Sequence, residues 1–443
     1  CNENIVILQS MKKIISSVLM CVACATSYAQ SGTNSPYSQY GIGVLSENPG
    51  AQSRGMNGLG IGFHENNQVN YLNPASYSSI DSLSFIFDAG ASGQITQFKE
   101  QGSTFNARNG NFEYIIAGLR LAKHLGASFG FVPFTNVGYS YSNSGKIVNP
   151  NDGTVTPYTN TYNGEGGLHQ AYLGLGWMPI KNFSIGVNAS YMWGSYERSV
   201  VNQYTDASIN TLSRNYTADF NSIHTTLGFQ YTHALSKKDA VTLGATYSFA
   251  HQLGAEPVFS IISKNSQTSV SDTTTYNAGK GMNLPSTLSL GLMWNHGQRL
   301  KLGVDYSLQK WSTAKTPVYT ETNNVGSYVL VNNMYNDRHK VTLGGEFCPN
   351  VSSRHFFSRI RYRVGASLAS SYLKINNIDG PKEFSMSAGV GIPIMNAYNS
   401  RSLLNISAQW VNQNSSSFIK ENSFRINIGL TFNERWFAKW KVE

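Results

Sequence analysis

Three shortages bound what this 443-residue chain can be. Charged residues make up only 13% of it, against roughly a quarter in an ordinary soluble protein. Cysteines number four, and Cys1, Cys21 and Cys24 all precede residue 30. Cys348 alone cannot close an internal disulfide, so a hydrogen-bond ladder must hold the fold. Beyond the first thirty residues no uncharged apolar stretch approaches the ~20 residues that a spanning helix needs. A helical membrane protein is therefore not expected, and if lipid is crossed, strands must cross it. What the chain has in plenty is Gly (41), Tyr (25) and Phe (22).

These residues follow a two-residue beat. From Phe183, alternate positions read Phe183, Ile185, Val187, Ala189, Tyr191 and Trp193, with Ser, Gly, Asn and Met between them. Val241 to Phe249, Leu300 to Leu308 and Phe424 to Phe432 repeat the pattern. That period belongs to strands with one apolar face. About fourteen such strands fall near 83–98, 112–121, 125–141, 168–177, 183–197, 216–231, 240–249, 284–294, 300–311, 338–347, 360–373, 383–392, 403–411 and 423–432. Connections after even strands are short, as at Ala122 to His124 and Asn295 to Arg299. After odd strands most are long, as at Ser142 to Gly167, Ala250 to Asn283 and Ser312 to Asp337. This is the expected threading of an all-β, transmembrane antiparallel β-barrel of about 14 strands. Trp177, Trp294 and Phe347 at one level, and Tyr191, Trp193, Tyr247, Phe249 and Trp410 at another, are expected to form two interfacial aromatic girdles. Glu113, Asp219, Asp305 and Glu346 are expected to face a polar lumen.

The N-terminus supplies a route to the bacterial outer membrane of a Gram-negative cell. Lys12 and Lys13, an apolar run from Ile14 to Ala25 and the exit Ser27-Tyr28-Ala29 have the order of a secretory signal, with cleavage expected after Ala29. We therefore divide the chain into 1–29 (upstream residues and signal), 30–81 and a barrel with a short tail over 82–443. The strand Asn427 to Phe432 resembles a barrel-insertion signal, with either a tail from Asn433 or a strand end nearer Trp436-Phe437. The formal charge of +9 comes from scattered turn residues such as Lys123, Lys181, Lys237, Lys238, Arg299 and Arg354, so no nucleic acid partner is expected. No Gly-x-Ser-x-Gly elbow, His-Glu-x-x-His pair or phosphate loop occurs. Neither an enzyme nor a cofactor or metal is expected; His169, His224, His233, His339 and His355 are scattered.

Residues 30–81 do not alternate. Tyr40-Gly41-Ile42-Gly43, Ser53 to Gly60 and Tyr71 to Ser76 impose compact turns, which suit either a plug folded into the lumen or a disordered leader. Here the sequence resembles the FadL family of outer-membrane transporters for long-chain fatty acids and other hydrophobic compounds. The resemblance rests on Gly41, Gly43, Arg54, Gly58 and Gly60, followed by Asn73, Pro74 and Ala75 just before the first strand. It implies an N-terminal hatch inside the lumen, a hydrophobic small-molecule ligand, and lateral release through a gap where the third strand kinks inward. On this chain the candidate gate is Gly130, Pro133 and Phe134; a proline there marks a bulge, an edge or a break, or only the outer end of a strand. Other FadL-like barrels serve as subunits of secretion or barrel-assembly machines. The resemblance therefore also allows a non-transporting barrel that anchors a partner in an outer-membrane protein complex, with outer-membrane lipid around it.

Overall fold

The structure is a computed structural model that describes residues 32–435 except 47–49, 101, 149, 151–152, 324, 395–401 and 416. The expected signal, and Trp436 and Phe437, lie outside the described residues.

All fourteen expected strands form. In chain order they are β1 (Ser84–Glu100), β2 (Ser103–Ala122), β3 (Leu125–Val148), β4 (Val155–Ile180), β5 (Phe183–Tyr204), β6 (Thr211–Ala234), β7 (Asp239–Ser248), β8 (Thr287–His296), β9 (Leu300–Gln309), β10 (Arg338–Phe347), β11 (Arg361–Ala369), β12 (Lys382–Ile394), β13 (Ser402–Asn414) and β14 (Lys420–Arg435). Each pairs antiparallel with the next. β1 lies against β14 from Ser84 opposite Arg435 to Lys99 opposite Lys420, which closes the sheet into a barrel and leaves no seam edge there. β14 continues past Phe432, so the strand does not stop at that aromatic.

The burial pattern is inverted relative to a soluble protein. Leu243, Leu302, Val364, Ile426 and Ile428 are exposed on the outer face, while Ser128, Asn188, Gln230, Thr242 and Glu346 between them are buried inside. Leaving a Leu or Ile side chain in water rather than in an apolar phase costs about 1.5–3 kcal/mol, so an outer face of this kind belongs against hydrocarbon. β7, β8, β9 and β10 are 10 residues each, the length that crosses a bilayer when tilted.

Two expectations need correction. Ser142 to Gly167 is not a long loop: β3 and β4 pair on to Val148 opposite Val155. The expected loops 250–283 and 312–337 likewise carry the hairpins Val258–Lys264 with Ser271–Asn277 and Thr316–Thr322 with Val325–Val331. These stretches are rich in Thr, Tyr and Val, which favour strands, but beyond the lipid neither face need be apolar and the beat disappears. Asp219, expected inside, is exposed on the outward side of β6 in that projecting region.

Candidate functional site

The residues before β1 pack against the inward face of the wall. The one-turn helix Ala51–Gly55 carries Arg54, whose Nη2 lies 2.6 Å from Glu113 Oε2 and whose Nη1 donates to Asn427 Oδ1 at 3.2 Å. Glu113 reaches the lumen because the register of β1 and β2 shifts there: Gly90 faces Tyr114, Ala91 faces Phe112, and Glu113 is the extra residue turned inward. Asn57, with φ 56°, donates to Ser367 Oγ and Ser385 Oγ at 2.8 and 2.7 Å and accepts from Gln409 at 3.0 Å. Gly58 N donates to Ser53 O at 2.7 Å, ending the helix. Asp305 Oδ2 accepts from the amides of Gly60 and Ile61 at 2.7 and 2.9 Å.

The Asn-Pro-Ala step starts a 3-10 helix, Pro74–Ser79. Asn73 Oδ1 accepts from Ala75 N at 3.1 Å, while its Nδ2 donates to Ile61 O and to Phe229 O on β6 at 2.9 and 3.1 Å. Pro74 fits the first helical position because its missing N–H has no partner to lose. All three residues are buried. The wall makes room for this segment with glycine. A Cβ on Gly186 of β5 would lie 2.3 Å from Pro74 C, on Gly244 of β7 2.1 Å from Ile61 O, and on Gly365 of β11 2.3 Å from Met56 C. His64 Nδ1 lies 2.7 Å from Gln230 Oε1, and burial holds its pKa below the usual 6.5.

The wall itself parts between β2 and β3. Their pairing runs from Ala122 opposite Leu125 to Ile115 opposite Phe131 and stops. Gly130 stands in the penultimate rung, where a Cβ would meet Ile115 O at 2.3 Å. Above it β2 stays paired with β1 up to Ser103, and β3 with β4 up to Val148. Pro133 faces His169 and Thr135 faces Leu168, so Phe134 is the extra residue of a bulge. The inward face of β3 thereby switches parity, from Ser128 and Val132 below to Val137 and Tyr139 above. Residues 32–46 occupy the parting. Val44–Leu45 pairs with Asn136 and Thr135, Ser46 N donates to Phe134 O at 2.9 Å, and Asn111 of β2 donates to Gly32 O at 2.7 Å. Gly43 has φ +101° and a Cβ there would lie 2.6 Å from Asn136 O, so this contact requires glycine. Beside the parting is a lumenal cavity of about 260 Å³, bordered by Leu45, Leu72, Pro133 and Phe134 and by His224, Asp305 and Arg338.

The structure thus brings Arg54, Gly58, Gly60, Asn73, Pro74 and Ala75 together in one segment, and separately places Gly130, Pro133 and Phe134 along the parting. Glu113 and Asp305 gain specific partners that their sequence context did not reveal. The short strand Val44–Leu45 has no sequence signal, because two residues cannot display a period.

The closed fourteen-stranded barrel shares its fold with solved FadL-like structures. It is similar to the P. putida toluene transporter TodX, with a TM-score of 0.61 and 14% identity over 89% of this chain and 100% of that one. The Ralstonia pickettii toluene transporter TbuX gives 0.58 and 13% over 87% and 98%, and a Pseudomonas aeruginosa FadL homologue 0.56 and 12% over 88% and 98%. No curated protein matches the sequence. The model of the BamG family matches residues 11–443, and the chain belongs to that family.

Proposed function

We propose that the protein is an outer-membrane channel for passive uptake of hydrophobic small molecules such as long-chain fatty acids, with residues 30–81 as a hatch and lateral release beside β3. The observation that carries this reading is the parting of β2 from β3 above Ile115 and Phe131, next to a cavity that Pro133 and Phe134 border. A hydrophobic solute gains about 0.8 kcal/mol per methylene on leaving water, so a side exit into lipid serves it better than a wet pore. Pro74 and Ile61 lie against the inward side of β5 and β7, which supports the reading of residues 30–81 as a hatch. Solved barrels of this fold include toluene transporters, and the proposal carries that class of cargo to this chain. The test is uptake of a fluorescent fatty acid and of toluene into proteoliposomes by the parent and by Pro133→Val. The variant is expected to slow release several-fold; equal rates remove the gate, and no uptake by the parent removes transport.

A second reading, a barrel that anchors a partner in an outer-membrane assembly or secretion complex, is favoured by one observation. Val44–Leu45 fills the very parting through which cargo would leave. A stoichiometric partner retained in mild detergent supports this reading, and lone barrels with co-purified lipid support transport.

A further inference from the structure

The two ends of the barrel differ in charge. Five described connections lie at the short-turn end, over 123–124, 181–182, 235–238, 297–299 and 348–360. Each carries Lys or Arg, and none contains Asp or Glu. Lys123, Lys181, Lys237, Lys238, Arg299 and Arg354 are all exposed there. Of the carboxylates near this end, Asp239 lies 2.7 Å from His296, and Glu65 lies 2.7 Å from Lys301 within the mouth. Asp81 accepts from Asn66 Nδ2 at 3.0 Å. At the opposite end both signs are present and pair, as in Lys280 with Glu256 and Lys310 with Asp337, each 3.1 Å apart.

Four of the five connections also place an exposed apolar side chain close to the cation. Leu121 (54% exposed) precedes Lys123, Ile180 (69%) precedes Lys181, Leu235 (62%) precedes Lys237, and Phe357 (73%) follows Arg354. Lys181 comes four residues after Trp177 of the girdle, within about 13 Å of chain. An apolar group level with the girdle and a cation just beyond it match the layering of a lipid leaflet, where acyl chain gives way to phosphate. We propose that this rim binds anionic phospholipid headgroups of the inner leaflet of the outer membrane. The pattern recurs in turns distributed around the barrel, which suits a continuous planar surface rather than a partner docked on one side. The proposal rests on the lipid-facing reading of the outer wall.

The test reconstitutes the full chain in nanodiscs of phosphatidylcholine and phosphatidylglycerol and counts retained lipids by native mass spectrometry. Phosphatidylglycerol is expected to be retained in excess of its mole fraction, by about 5-fold per cation engaged at low salt, and the excess is expected to fall at high salt. It should disappear in a variant with Lys123, Lys181, Lys237, Lys238, Arg299 and Arg354 all changed to Gln. It should survive Lys264→Gln, Lys280→Gln, Lys315→Gln and Lys374→Gln at the other end. Should the sixfold variant not fold, the salt dependence of the parent decides alone. Retention in proportion to the mixture, or equal loss from both variants, overturns the proposal and leaves the rim to an acidic protein surface. A chain that does not insert overturns both the rim and the membrane reading.

Discussion

Removing Arg54 should unseat the N-terminal segment while leaving the wall closed. Arg54 and Glu113 side chains are 6% and 8% exposed, so water screens their attraction little. In Arg54→Ala, Glu113 keeps its hydrogen bond from Ser92 and the more distant attraction of Arg425 but loses its ion pair with Arg54, and its charge stays buried. Breaking a buried pair in this way costs about 3–5 kcal/mol, roughly a hundred- to several-thousand-fold in the seating equilibrium. The ladder itself keeps its rungs, because these are backbone hydrogen bonds and Arg54 meets the wall through side chains such as Glu113 and Asn427. Hydrogen exchange in lipid nanodiscs reads this directly: amides of Met56, Gly58, Gly60 and Ile61 should lose protection, while those of β8 and β9 should not change. Arg54→Met combined with Glu113→Leu removes both charges and should recover most of the protection, since an apolar replacement of a buried pair is often neutral or better. If Arg54→Ala leaves exchange in residues 54–61 untouched, the ion pair does not hold the segment and the seating argument fails.

Gly244→Val should also displace the segment, because its Cβ would fall 2.1 Å from Ile61 O. Gly93→Val, with nothing within 4 Å, is the control. Overpacking of this kind costs about 1–3 kcal/mol, and equal exchange at Gly60 and Ile61 in both variants would count against close packing. His64 gives a pH signature: its seated pKa is depressed by burial, so the unseated state binds more protons between that value and 6.5. Seating should therefore strengthen as pH rises through that window and level off above about 6.5, with a slope of at most ~1.4 kcal/mol per pH unit. Exchange at Ile61 and Phe63 compared at pH 5.5 and 7.5 measures it, and His64→Asn should flatten the profile; identical profiles would refute the assignment.

The outer face was legible because lipid demands an apolar residue at every second position, and Phe183 to Trp193 satisfies that demand without interruption. Where the demand lapses, beyond the membrane, the beat vanishes and the projecting halves of β3 and β4 could not be told from loops. The inward face held a signal of another kind. A wet lumen asks only for polar side chains, and Ser128, Asn188 and Thr242 meet that demand at no cost to the strand. Gly186, Gly244 and Gly365 forgo a side chain altogether, which weakens a strand and has to be offset by a close contact. These inward glycines, on strands far apart in sequence, are where residues 56–74 press against the wall. What the glycines do not encode is which residues press on them. Asp305 and Glu113 are bound by partners 244 and 59 residues away, and pairings across such separations arise only once the sheet has closed.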